Sequence, residues 1–223
     1  MSADNSAQAR ADAILKAAEP TGPWARTKAF FGFGTEPSAE AVEEAGNWEA
    51  GAEGERRTAD MVLVLGPAGW YGLFDRHVPG LDVANVDFVL VSPSGEVIPI
   101  DAKLWHRDAV VCAVKGLLFH GEKAYPRVIS SVLLETSKIE QSLRDALSRT
   151  GVTRTVKVTP LIAMHNAPVS GGGFSVEGVR VVPADQLLSV LRSMAGRPDP
   201  EWAAHVAGVL EQLLPRYGEG GRR

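Results

Sequence analysis

NVDFVLVSPSGEVIPIDAKLW, residues 85–105, gives the clearest indication of the fold. Apolar residues fill both halves of this stretch, and SPSG between them is a short segment rich in residues that form turns. The pattern predicts one strand over NVDFVLVS and a second strand over EVIPIDAKLW. Because the connection is so short, the two strands are expected to pair as a hairpin.

The hairpin brings three charged side chains together. Residues two apart share one face of a strand, so Asp101 and Lys103 point the same way. Pairing of the two strands brings Asp87 towards Asp101, and two carboxylates then converge beside a lysine. The opposite face, predicted to be core, carries Ile98, Ile100, Ala102 and Leu104. A solvated salt bridge is the alternative interpretation of this cluster.

Two carboxylates and a lysine suit the hydrolysis of a phosphodiester. Mg²⁺ prefers oxygen ligands and keeps several waters, so Asp87 and Asp101 suffice to hold it. The ion polarises the phosphate and lowers the pKa of water, and Lys103 orients that water or stabilises charge on phosphorus. The hairpin therefore predicts a metal-dependent hydrolytic centre.

A helix is predicted before the hairpin, over NWEAGAEGERRTADMVLVL. Its apolar face carries Trp48, Ala52, Ala59 and Val62 at helical spacing. Glu55 falls on that same stripe, where a carboxylate is costly unless something satisfies it. An approach to the metal site and a cap by backbone or by arginine are the two explanations left open.

The rest of the chain predicts a mixed sheet flanked by helices, an α/β fold. WYGLFDRHV is expected to be the first strand, and AVVCAVKGLLFH a hairpin that continues the same sheet. Later elements are strands in KVTPLIAMH and GVRVVP, and amphipathic helices over 131–149, over PADQLLSVLRSM and over 200–214. A short Ala-rich helix is expected at 7–18, followed by a Pro/Gly-rich segment with Trp24, Phe30, Phe31 and Phe33.

The motifs resemble the PD-(D/E)xK nuclease superfamily, and specifically its NERD (nuclease-related domain) branch. GAEGE matches the helical G-x-x-G-E motif with Glu55, and NVDFVLV matches the aspartate strand with Asp87. SPSGEVIPIDAK matches the S-P-x-G turn and the E-x-K strand, and TSKIEQ places Gln141 at the family's helical glutamine. The departures are Asp101 in place of glutamate, Pro99 inside the strand, and Lys138 where proline is common.

The resemblance implies a restriction-endonuclease-like mixed β-sheet core with helical extensions at both ends. The expected parts are an extension over 1–45, a nuclease domain over 46–195, and a helix with a flexible tail over 196–223. It implies Mg²⁺ or Mn²⁺ bound by Asp87, Asp101 and Glu55, with Lys103 and Gln141 assisting catalysis. DNA is the implied substrate, cut by an endonuclease.

Composition sets the remaining expectations. The 223 residues carry a net charge of −4, which argues against a protein that coats nucleic acid non-specifically. The lone Cys112, in the apolar run AVVCAV, is expected to be a buried reduced thiol. Neither a signal peptide nor a membrane span is apparent, which predicts a cytoplasmic protein. Still open are RNA as substrate, a homodimer, a recruiting protein partner, and a catalytically weak or inactive binding module of the same fold.

Overall fold

The computed structural model describes residues 39–81 and 84–216, with side chains from residue 51 onwards. The chain divides into two compact units, Met1–Arg56 and Arg57–Arg223. The predicted helix at 7–18 and the aromatic residues Trp24, Phe30, Phe31 and Phe33 lie outside the described residues. So does the side chain of Trp48.

Four α-helices and nine strands make up the described chain. The helices are α1 (Ala39–Val62), α2 (Pro126–Arg149), α3 (Ala184–Ser193) and α4 (Pro200–Leu213), with 3₁₀ turns at Leu63–Ala68 and Ser170–Gly172. The strands are β1 (Tyr71–His77), β2 (Asn85–Val91), β3 (Val97–Leu104), β4 (Val111–Val114), β5 (Leu117–His120), β6 (Lys123–Tyr125), β7 (Leu161–His165), β8 (Phe174–Val176) and β9 (Val179–Pro183). The boundary between the two units falls inside α1. No described helix is long and apolar enough to cross a membrane.

The main sheet has six strands in the order β1-β2-β3-β7-β9-β8. β1, β2 and β3 form an antiparallel meander, whereas β3, β7 and β9 run parallel to one another. The parallel connection from β3 to β7 carries α2, as crossovers between parallel strands require. This mixed sheet flanked by helices confirms the predicted fold class.

The β2–β3 turn is built as the sequence indicates. Ser92 and Glu96 close it through a backbone hydrogen bond of 2.8 Å, and the Gly95 N–H donates to the Ser92 carbonyl at 2.8 Å. Gly95 has a φ of 86°, in the left-handed region that favours glycine. Pro99, which has no N–H to donate to the strand ladder, is paired with Val89 and buried within β3.

Both faces of the main sheet are covered by apolar clusters. The first face packs against the end of α1 and against α3, and its buried residues include Phe88, Leu90, Ile98, Ile100, Ala102, Leu187 and Leu191. The second face packs against α2, α4 and the small sheet, and it holds two separate clusters. Ile98, Ile100 and Ala102 are therefore core residues, as predicted, while Leu104 is only half-buried.

Strands β4, β5 and β6 form a second sheet of their own. The predicted hairpin is present, with Lys115 and Gly116 at positive φ values of 50° and 80° in its two-residue turn. The prediction that it continues the main sheet is wrong. β3 already has β2 and β7 as neighbours, so the chain that leaves β3 meets no open edge beside it.

Helix α2 is the element that covers the second face. Pro126 stands at its first turn, where a missing N–H does no harm. At its end Gly151 donates to Ser148 and Val152 donates to Leu147, each at 3.0 Å, in the Schellman arrangement. The first half of α2 packs in one apolar cluster through Ile129 and Val132, and the second half packs in the other.

Candidate functional site

The site begins where the β2–β3 ladder stops. The last paired residues are Phe88 and Ile100, so Asp87 and Asp101 occupy the next facing positions. There the backbone N–H of Ala102 donates to Asp87 Oδ2 at 2.8 Å. A side chain has replaced the backbone as hydrogen-bond partner, and this bond holds the Asp87 carboxylate against β3.

Lys103 and Asp101 form an ion pair on the same face of β3. Lys103 Nζ lies 2.7 Å from Asp101 Oδ1, and the two side chains are 31% and 20% exposed. The second carboxylate oxygen, Asp101 Oδ2, is buried and has no hydrogen-bond partner in the part of the chain that the structure describes. A buried oxygen without a donor is unfavourable unless another group satisfies it. The three residues that the sequence singled out are thus brought together.

Apolar side chains lie beside the charged residues on the same face of the sheet. In the β3–β7 ladder Asp101 lies beside Ile162 and Lys103 beside Met164, both buried. The apolar cluster that includes Val89 and is closed by α2 and α4 lies on the same face of the sheet. Charges interact more strongly in such surroundings than in water.

This crowding shifts the acid–base properties of the site. Burial raises the pKa of Asp87 from 3.8 to about 7, and the nearby carboxylate of Asp101 adds to the rise. Burial by itself would lower the pKa of Lys103, but Asp101 and Asp87 outweigh it and raise that pKa above its usual value. The lysine is therefore positively charged, while Asp87 exchanges its proton near neutral pH.

A further carboxyl group, that of Glu135 on α2, faces the same site. Burial and, after it, the charges of Asp101 and Asp87 raise its pKa from 4.5 to about 8. The sequence analysis missed this residue. The signal was available, because Glu135 borders the predicted inward stripe between Val132 and Thr136.

Asp75 also stands in line with the pair. The β1–β2 register runs through Phe74↔Phe88 and Arg76↔Val86, which places Asp75 across from Asp87. Its φ of 47° is unusual for a strand, and its Oδ1 accepts a hydrogen bond of 3.1 Å from Asn85 Nδ2. The charge of Asp75 makes a small contribution to the raised pKa of Asp87.

The other two predicted site residues, Glu55 and Gln141, are on helices. Glu55 is half-buried on α1, within the first compact unit. Gln141 is exposed on α2, and its Nε2 donates to Asp145 Oδ1 at 2.9 Å. Six residues of helix turn the chain by about 600°, so Gln141 and Glu135 project from different faces. The roles given to Glu55 and Gln141 stay predictions.

Two carboxyl groups with raised pKa values make stability depend on pH. Between about pH 4 and pH 8 the folded state holds more protons on Asp87 and Glu135 than the unfolded state does. The free energy of unfolding therefore falls as the pH rises through this window. We expect the melting temperature in EDTA to fall from pH 5 to pH 8, by about 2–4 °C for each kcal/mol.

Glu135→Gln isolates the helix contribution to this pH dependence. The variant is expected to flatten the decline in melting temperature, since glutamine has no proton to lose. Glu140→Gln is the matched control, because Glu140 lies on the same helix in an exposed 2.7 Å ion pair with Arg144. Equal slopes for the two variants would contradict the raised pKa of Glu135.

The carboxylates suit a hard divalent cation. The unpartnered Asp101 Oδ2 and the mutual repulsion of Asp87 and Asp101 are both relieved by a positive ion. Within the described residues no group of three or more His, Cys, Asp or Glu side chains has the spacing of a metal site. Two carboxylates fit Mg²⁺, which takes few protein ligands and completes its shell with water and phosphate.

Comparison with known proteins supports the resemblance seen in the sequence. The family model of the nuclease-related domain, NERD, matches residues 50–165, about half of the chain. The matched range contains α1 from residue 50, the β2–β3 hairpin, the small sheet, α2 and β7. No curated protein and no solved structure matches the chain. The chain therefore belongs to the nuclease-related domain family.

Proposed function

We propose that this protein is a metal-dependent nuclease that hydrolyses phosphodiester bonds in DNA, cutting within the strand. The observation that carries the proposal is the pairing of Asp87 and Asp101 at the open end of the β2–β3 ladder, with a buried oxygen of Asp101 unpartnered among the described residues. Membership of a nuclease-related family supports the same chemistry.

Each residue of the site has a separate proposed role. Asp87 and Asp101 would hold Mg²⁺ or Mn²⁺, and the bond from Ala102 N–H fixes one oxygen of Asp87 in place. When bound, the cation supplies Lewis-acid stabilisation of the phosphate and acidifies water. Lys103, kept charged by its two carboxylate neighbours, orients a nucleophilic water or stabilises negative charge on the phosphate. Glu55 as a third ligand and Gln141 as an assisting residue complete the proposal.

Several features of the proposal go beyond the family. We propose DNA rather than RNA as the substrate and the cytoplasm as the location. A homodimer or a recruiting protein partner belongs to the same proposal. The alternative is a binding module of the same fold without turnover. The intact set of Asp87, Asp101 and Lys103 favours the enzyme.

Cleavage of supercoiled plasmid tests the proposal directly. Purified protein is incubated with plasmid in Mg²⁺, in Mn²⁺ or in EDTA, and nicked and linear products are separated on a gel. Products in metal and none in EDTA are expected. A folded protein that leaves the plasmid intact in both metals would favour the binding module. If the protein cleaved an RNA under the same conditions but not the plasmid, RNA would replace DNA as the proposed substrate.

Metal affinity is expected to depend on pH. Asp87, with a pKa of about 7, must lose its proton before it binds a cation. Below pH 7 the affinity for Mn²⁺ should therefore fall about tenfold per pH unit, since one proton is released per ion. Isothermal titration calorimetry at pH 6 and pH 8, in buffers of different ionisation enthalpy, measures both the affinity and the proton.

Asp101→Asn provides the control for that titration. Removal of one of the two carboxylates should abolish the pH-dependent binding while the protein stays folded. Mn²⁺ binding of equal strength at both pH values, with no proton released, would rule out Asp87 as a ligand.

A further inference from the structure

Two aromatic rings of the small sheet, those of His120 and Tyr125, pack on the indole of Trp105, which follows β3 immediately beyond the candidate catalytic lysine. The Trp105 indole stacks on Tyr125 with 4.3 Å between ring centroids and 28° between planes. The same indole lies 5.2 Å from the His120 ring at 31°. We call Trp105, His120 and Tyr125 the aromatic stack. All three residues are half-buried.

The aromatic stack is held in place by its neighbours. His120 Nε2 lies 2.8 Å from the carbonyl oxygen of His106, which fixes the imidazole plane. The Trp105 backbone N–H donates to the His165 carbonyl at 3.3 Å, which ties the backbone of Trp105 to the end of β7. Fixed rings have little conformational freedom left to lose when they bind a flat ligand.

The segment that carries the aromatic stack is basic within an acidic protein. From Leu104 to Arg127 there are four Lys or Arg residues and two Asp or Glu residues, a net charge of +2, whereas the whole chain carries −4. All four basic side chains in this segment are exposed: Arg107, Lys115, Lys123 and Arg127. Lys123 Nζ lies 5.3 Å from the centre of the Tyr125 ring.

The chain places this surface next to the candidate site at both ends. Trp105 follows Lys103 by two residues. Tyr125 directly precedes α2, and ten residues later the same helix presents Glu135 to Asp87 and Asp101. The small sheet is thus inserted between β3, which supplies Asp101 and Lys103, and α2, which supplies Glu135.

We infer that the aromatic stack and the exposed basic side chains of this segment bind unpaired nucleotides, so that the preferred substrate is a single-stranded segment of nucleic acid. Aromatic rings stack on exposed bases whatever their sequence, and Lys or Arg residues beside them neutralise the phosphates. A base inside a duplex offers no free face to such rings. The inference rests on the proposed nuclease function for the identity of the neighbouring site.

Fluorescence anisotropy in EDTA tests this surface apart from cleavage. The full chain is titrated against a labelled 20-nucleotide DNA strand and against the duplex of the same sequence. The single strand is expected to bind more tightly. Tyr125→Leu should weaken its binding by roughly 5- to 150-fold, because stacking contributes about 1–3 kcal/mol per base, whereas Tyr125→Phe should bind like wild type.

A pair of charge reversals tests the basic side chains. Lys123→Glu with Arg127→Glu should weaken single-strand binding and lower the salt dependence, by about 0.7 in the slope of log K for each phosphate that is no longer neutralised. Arg149→Glu with Arg192→Glu changes the net charge equally at exposed positions, and Arg149 lies about 33 Å from Arg127 along α2. This control pair should bind like wild type.

The results separate this inference from the proposed function. Single-strand binding that depends on Tyr125 and Lys123 would support the inference even if no metal gave cleavage. Equal affinity for strand and duplex, or an effect of Lys123→Glu with Arg127→Glu no larger than that of the control pair, would overturn it even if plasmid were cut. A melting temperature for each variant within a few degrees of wild type confirms that the comparison is between folded proteins.

Discussion

Plasmid cleavage is expected to fall at least about 100-fold in Asp101→Asn and in Lys103→Ala, a loss typical of removing one group that stabilises transition-state charge. Asp101→Asn removes a carboxylate that would hold the metal. Lys103→Ala removes a cation whose Nζ lies 2.7 Å from Asp101 Oδ1. Initial rates of nicking at saturating Mg²⁺ or Mn²⁺ measure both effects.

Matched substitutions outside the site give the control for these losses. Lys157→Ala breaks a comparable 2.8 Å ion pair, with Glu96, but the lysine side chain there is 72% exposed. Asp185→Asn removes an exposed carboxylate from the first turn of α3. Both control variants should cleave at the wild-type rate. Unimpaired cleavage by Asp101→Asn, or equal losses in the control variants, would show that the reaction is carried out elsewhere.

Gly95→Ala is expected to lower the free energy of unfolding by about 2–5 kcal/mol. The residue has a φ of 86°, where a Cβ costs about 1–2 kcal/mol. In addition, the new methyl group would overlap the indole of Trp202 on α4, and such overpacking costs about 1–3 kcal/mol. Chemical denaturation with urea measures the change.

Gly151→Ala separates the two contributions. Gly151 also has a left-handed φ, of 77°, but nothing lies within 4 Å of the position its Cβ would take. Its substitution should therefore show the backbone cost alone. If Gly95→Ala were no worse than Gly151→Ala, the contact of the β2–β3 turn with Trp202 would not constrain the fold.

Local spacing predicted the centre of the site because the relevant geometry is local. The alternation of side chains along a strand places Asp101 and Lys103 on one face. The tight turn ending at Gly95 sets the register of β2 against β3, and that register aligns Asp87 with Asp101. A period of two and a turn of fixed length leave little for distant parts of the chain to change.

Helical periodicity predicted α2 but not the use of its edge. Val132, Thr136, Ile139 and Leu143 are buried, as their spacing indicates. Glu135 borders this stripe, and its carboxyl group meets the carboxylates only because α2 packs across the second face of the sheet. Rotation of the helix about its axis by a fraction of a turn would give Glu135 to solvent instead.

Patterns between neighbouring residues were enough to predict the mixed α/β fold, the β2–β3 hairpin and the convergence of Asp87, Asp101 and Lys103, because strand period and turn length are local properties. They could not predict that β4, β5 and β6 form a separate sheet, that Glu135 faces the carboxylates or that Asp75 stands across from Asp87. These arrangements depend on which strand edges are already occupied and on how a helix packs over the sheet. Both are set by contacts between residues far apart in the chain, which no local pattern records.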